Sequence, residues 1–390
     1  MESLSLILKG GRIIDPSQAL DAVAAIGFRD GRVAAIGPSL AADVATEVVD
    51  VSDRIVTPGL IDLHTHVYWG GTSLGIDAEE FSRTSGVTTC VDTGSAGPGN
   101  FAGFRKHVIE PSAVRILAYL HVSFAGIFAY SKTVMVGESE ELRLMAPADA
   151  VAVADANRDV IVGIKVRVGQ RASGRSGTAP LDIALQAASE VGLPVMCHID
   201  IPPPTYEEVL ERLRPDDVLT HAFRPFPNAP IDHQGKIKDA VVRARGRGVK
   251  FDIGHGKASF AFKTARSMLA NSFYPDTISS DVHALCINGP AFDQVTTLSK
   301  FLCMGMPLRD VIAASTVNAA VALKRPGLGT LKIGSIGDAT ILSVKSGKFD
   351  FVDATGEHMT GDKRIVCEGV VIAGRWWHPR DRADVARNTL

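Results

Sequence analysis

Between residues 60 and 282 the chain alternates short apolar runs with amphipathic stretches, and this alternation constrains the fold more than any other feature. The runs at 60–67, 87–93, 115–122, 160–168, 193–199, 218–223, 249–253 and 277–282 are apolar enough for strands covered on both faces. Residues 180–191, 206–213, 237–246 and 261–271 carry helical patterns between them. Strands joined through helices pair in parallel. Eight such units in about 270 residues match a (β/α)8 barrel, an α/β fold also called the TIM barrel. Residues 291–304 and 308–323 read as closing helices.

Both ends of the chain read differently. Residues 4–8 and 12–14 flank a turn predicted at Lys9-Gly10-Gly11, and 22–28 and 32–36 flank Asp30-Gly31. The second dipeptide tolerates positive φ and favours a tight hairpin. Near the other end, 339–344, 365–368 and 370–377 are short apolar segments punctuated by glycine. Neither end holds enough strands to be stable alone. The termini are therefore predicted to pair into one small β-sandwich domain (1–57 with 327–390), leaving 58–326 for the barrel.

Bulk properties fit an enzyme of ordinary composition. Hydrophobic residues make up 46% of the chain, enough for a sizeable core, and the net charge of −2 gives no electrostatic case for nucleic acid. No apolar stretch approaches the roughly 18 residues of a membrane span. The 4–8 run is too short for a signal peptide, and no basic segment precedes it. Five cysteines, scattered and odd in number, read as reduced thiols of a cytoplasmic protein.

Six potential metal ligands fall at the ends of the predicted strands: His64, His66, Lys165, His198, His221 and Asp281. A barrel gathers the carboxyl ends of all its strands around one pocket, so these residues can meet there and suit two divalent metals. His64 and His66, two apart on a strand, share a face. His198 and His221 each close a run in which histidine is a poor strand filler; a histidine bonded to backbone explains either one alone. Asp281 combines the roles of ligand and proton acceptor, or else pairs with an arginine. Zinc is the default ion, although histidine and carboxylate also accept manganese, cobalt or nickel.

Lys165 is the oddity, because an ammonium buried within 160–168 loses its hydration. An acidic neighbour or an escape to the strand end would explain it. The functional alternative is a neutral amine that combines with carbon dioxide to become N6-carboxylysine, an anion with two oxygens able to bridge two cations.

His64-Thr65-His66, Lys165, His198, His221 and Asp281 together resemble the metal set of the amidohydrolase superfamily, of the binuclear type that includes dihydroorotases, hydantoinases and several deacetylases. The stretches at 314–320 and 329–339 strengthen the resemblance, which covers essentially the whole chain. It implies that His64, His66 and Asp281 hold one metal and His198 and His221 the other, bridged by carboxylated Lys165.

Dihydroorotases carry an arginine two residues after the His-x-His pair, where this chain has Tyr68. The segments around the strand ends look closest to dihydroorotase-like proteins that deacetylate α-acetoxy or N-acetyl carboxylic acids, acetyl-mandelate among them. A cyclic-amide hydrolase, a one-metal deaminase and a non-enzymatic scaffold on the same fold are the rival readings.

Stepping two residues outward from each ligand gives Tyr68, Arg167, Asp200, Phe223 and His283. Arg167 is the candidate to grip a substrate carboxylate, or else it pairs with a loop acid. Tyr68 and His283 are candidate hydrogen-bonding groups. Arg171, Arg175 and Arg224 are reserves for the cation, and His121 and His255 are weaker candidates. The expected partner is a small molecule bearing a carboxylate, with no nucleic acid and no membrane; a homo-oligomer is open.

Overall fold

The computed structural model describes residues 3–41 and 45–379; the remainder of the small domain expected from the sequence lies outside the described residues. Seven parallel strands follow one another in chain order: Leu60–Thr65, Val87–Thr93, Arg115–His121, Ile161–Val168, Val195–Ile199, Val218–Leu219 and Lys250–Phe251. Residues 277–282 then join the two edges of this sheet. Thr277 bridges Asp252, just after the seventh strand, and Val282 bridges Thr65 on the first, both in parallel. Ile253 N donates to Thr277 O at 3.1 Å and His66 N to Val282 O at 3.0 Å, so the sheet closes on itself.

The predicted eighth strand is thus a pair of bridges, and the sixth and seventh strands are only two residues long. The backbone gives the reason. His221, Gly254 and Asp281 all take positive φ, 62°, 46° and 47°, which interrupts the extended conformation just where the apolar runs end. Every residue of Ile161–Val168 is buried, as expected for a strand covered on both faces.

Toward the amino ends of the strands, Ile61, Val91, Leu117, Tyr119, Met196 and Val218 pack with Ala319 and Ala320 of the helix Val317–Ala322. That helix and Leu308–Ala314 replace the single closing helix predicted at 308–323, which breaks at Ser315-Thr316. Thr205 and Glu208 form a capping box that starts Tyr206–Arg212 at the predicted position. Among the described residues no helix is long and apolar enough to cross a membrane.

Strands from both termini share one eight-stranded sheet. Ile55–Pro58 pairs with Leu4–Asp15 on one side and with Ala339–Val352 on the other, tying the two chain ends together. The sheet wraps a core of Leu6, Leu8, Ile26, Phe28, Ile341 and Val371. The hairpin at Asp30-Gly31 forms with positive φ at both residues. The turn predicted at Lys9-Gly10-Gly11 does not. Leu4–Asp15 is a single strand that absorbs these residues as a register shift between Leu8 and Gly11, with Gly10 at φ 80°.

Ring closure depends on a buried carboxylate. Asp62 Oδ1 accepts from Ser280 N at 3.0 Å and from His64 N at 3.3 Å, and Oδ2 accepts from the Ser280 hydroxyl. Burial pushes the Asp62 carboxyl up to about 7. Asp62→Ala leaves these donors without an acceptor and is expected to lower stability by about 2 kcal/mol. Asp62→Asn, which keeps one acceptor oxygen, should lose much less. Urea denaturation midpoints check the ordering.

Candidate metal centre and active site

All six ligand candidates line one cavity of about 220 Å³ at the carboxyl ends of the strands. His64, His66 and Asp281 converge, with ligand atoms within 4.8 Å of one another. Asp281 Oδ1 lies 3.2 Å from His64 Nε2 and 3.3 Å from His66 Nε2. His198 Nδ1 and His221 Nε2 face each other at 2.7 Å.

The surrounding hydrogen bonds decide which nitrogens carry protons. Thr220 Oγ1 donates its one proton to Asp252 Oδ2 at 2.7 Å. It must therefore accept from His64 Nδ1, 2.8 Å away, which leaves a lone pair on His64 Nε2. His66 Nδ1 meets Ser95 Oγ at 2.8 Å. His221 Nδ1 donates to Gly254 O at 2.7 Å, so His221 Nε2 also presents a lone pair. Burial holds all four imidazoles below their usual pKa, His66 at about 4, and keeps them neutral. A neutral imidazole lone pair aimed at a carboxylate oxygen is unfavourable unless a cation lies between them.

Lys165 is fully buried, and its Nζ has no hydrogen-bond partner. Among the described residues no carboxylate forms an ion pair with it, although Asp281 acts on it from further off, and its head does not escape to solvent. Burial lowers it to about 8, toward the neutral amine. An orphaned amine beside converging lone pairs fits a site for divalent metal in which the amine is not left bare. Burial also raises Asp281 to about 6.

The residues one step further out divide. Arg167, Asp200 and His283 line the cavity. Arg167 Nη1 donates to Glu138 Oε2 at 3.2 Å, and its guanidinium lies over the Tyr130 ring, 5.0 Å from the centroid. His283 Nδ1 accepts from Leu285 N at 3.2 Å, which leaves the ring proton on Nε2.

Tyr68 does not reach the cavity. Its ring packs on Phe104 at 4.5 Å and its hydroxyl donates to Asn100 O at 3.4 Å, because the strand ends at Thr65 and alternation no longer applies. Phe223 is likewise turned into the core, against Phe301, after the left-handed residue His221. Arg175 is exposed outside the cavity, whereas Arg171 and Arg224 line it.

Two weaker candidates serve elsewhere. His121 Nδ1 accepts from Ser123 N, so Nε2 donates to Glu138 Oε1 at 3.2 Å. His255 Nδ1 donates to Gly256 O, and Nε2 accepts from Lys300 Nζ at 2.7 Å. Lys300, buried on the helix Gln294–Cys303, also donates to Pro290 O and Val352 O.

Thr220, Ser95, Asp252 and Glu138 escape the reading from sequence. Asp252 had a visible signal, an acid inside the apolar run 249–253. Glu138 had none, since it comes from a loop.

The chain belongs to the amidohydrolase family, whose model matches residues 55–377. A deacetylase of Brucella anthropi is 37% identical over 329 residues, 84% of this chain and 81% of that protein. The family model and the relatives named deacetylase support a hydrolase acting on amide or ester bonds. Among solved structures, a dihydroorotase superposes with a TM-score of 0.88 at 31% identity, covering 96% of this chain and 99% of the other. An adenine deaminase superposes with a TM-score of 0.89 at 27% identity, covering 96% and 100%.

Gly256 provides a test of the geometry. A Cβ there would stand 2.1 Å from Asp281 Oδ2, at a backbone φ of 53°. Gly256→Ala is expected to displace the carboxylate and to cut kcat/KM by about 100-fold, the scale of a misplaced catalytic group. The fold should survive, as judged by circular dichroism.

Proposed function

We propose that this chain is a binuclear metal-dependent hydrolase that removes the acyl group from an α-acyloxy or N-acyl carboxylic acid of the acetyl-mandelate kind. It would do so on a (β/α)8 barrel (58–326) carrying a β-sandwich built from 1–57 and 327–390. One observation carries the reading: six ligand candidates line one cavity, and the amine of Lys165 among them has no partner. The likeness to the Brucella anthropi deacetylase supports the reaction type.

In this reading His64, His66 and Asp281 would hold one divalent ion, most simply Zn2+, and His198 and His221 would hold the second. Lys165 would contribute to both as N6-carboxylysine: its neutral amine would add to carbon dioxide, forming a nitrogen–carbon bond and releasing one proton. When bound, such ions lower the proton affinity of a shared water and polarise the acyl carbonyl.

The chain's own groups do the rest. Asp281 accepts the proton of the attacking water on its carboxylate and returns it to the departing oxygen or nitrogen. His283 Nε2–H donates to the substrate, while Arg167, the cation expected from the sequence, is paired with Glu138 and forms part of the cavity wall. Tyr68, turned away from the cavity, has no part in this scheme. The partner is a small molecule with a carboxylate. The five cysteines, all free, suit a cytoplasmic enzyme.

Hydrolysis of a cyclic amide is the second reading, favoured by the 31% identity to a dihydroorotase. Metal-loaded protein assayed against α-acetoxy acids, N-acetyl amino acids and cyclic ureides separates the two. Turnover should concentrate on the acetylated acids, and efficient dihydroorotate hydrolysis would overturn the proposal. Lys165→Ala should bind fewer than two metal equivalents by elemental analysis and show no response to bicarbonate during reconstitution. A variant that keeps both ions would remove the bridging role.

A further inference from the structure

The cavity wall holds two buried guanidinium groups in unlike situations. Arg167 is already answered, because Glu138 Oε2 lies 3.2 Å from its Nη1 and His121 braces the other carboxylate oxygen. Arg224 is only 4% exposed, and its Nε has no hydrogen-bond partner. Its guanidinium makes one hydrogen bond, from Nη1 to Ile199 O. Among the described residues no carboxylate comes within ion-pair distance of it. The nearby acid, Asp200, spends its two oxygens on the backbone N–H groups of Arg171 and Ala172.

The backbone fixes where this charge sits. Arg224 N donates to His221 O, so the guanidinium is carried one turn beyond a ligand candidate. Thr264 Oγ1 holds Arg224 O at 3.1 Å from the far side. A buried cation with no carboxylate at ion-pair distance is costly; Asp200 attracts it only from further off, and an anion that enters the cavity relieves the remaining cost. Apolar groups line the same space: Leu74, Ile127, Tyr130, Met135, Val136 and Phe226.

We propose that Arg224 is the specificity-determining cation of the cavity, taking the substrate's carboxylate while the apolar wall receives an adjoining apolar substituent. Arg167, held by Glu138, is then a fixed charged wall. This rests on the deacetylase reading for the substrate being an acyl acid; the choice of the cation that receives its carboxylate rests on Arg224.

The test measures binding of phenylacetate and phenylacetamide to the metal-loaded full chain by calorimetry. Wild type should prefer the acid. Arg224→Met should weaken phenylacetate by roughly ten- to a hundredfold, the range for a lost charge-assisted hydrogen bond, and leave the amide unchanged. Arg224→Lys, which keeps a charge if the methionine variant fails to fold, should fall between. Arg167→Met should leave the acid-over-amide preference in place. The proposal is overturned if wild type shows no such preference, if Arg224→Met and Arg224→Lys bind the acid as wild type does, or if only Arg167→Met abolishes the preference. Absence of any deacetylation would defeat the functional reading while this binding comparison still judged Arg224.

Discussion

The centre of this protein depends on how its ring of strands closes. Residues 277–282 make isolated bridges to the strands on either side, with a few backbone hydrogen bonds across the seams. Two buried carboxylates reinforce them. Asp62 accepts from Ser280, and Asp252 accepts from Thr277 at 2.7 Å and Ser279 at 2.8 Å. In a water-free interior such bonds are strong when complete, and an unmet donor is costly. Closure therefore selects one conformation of the segment, and that conformation brings Asp281 beside His64 and His66.

The same carboxylates reach the chemistry through one further bond. Asp252 takes the Thr220 proton, Thr220 then accepts from His64 Nδ1, and His64 Nε2 is left as a lone pair in the cavity. Structural and functional hydrogen bonding are one network here. The strained residues belong to it as well: His221 and Asp281, both at positive φ, are side chains that face the cavity. Left-handed backbone at non-glycine residues is tolerated where the surroundings over-determine it.

Much of this was legible in the sequence. The alternation of runs predicts the parallel strands, and the six ligand candidates, read as strand-end residues, do line one cavity. The two-residue step outward worked for Arg167, Asp200 and His283, whose strands or bridges continue the alternation. It failed for Tyr68 and Phe223, where the backbone had already left the extended conformation. Strand length was the weak point, since an apolar run records burial and not the number of ladder bonds.

Sequence alone picked out side chains whose chemistry suits a metal, because ligand chemistry and position along an apolar run are both local properties. Only the tertiary structure decided which charges are already spent. Arg167 and Arg224 look alike in the sequence, yet Glu138, from a loop 29 residues before Arg167, neutralises one and leaves the other. Lys165 already stood out in the sequence as a lysine inside an apolar run; the structure adds that its amine has no hydrogen-bond partner among the described residues. Pairing of buried charges depends on distances across the fold, and no local pattern encodes them.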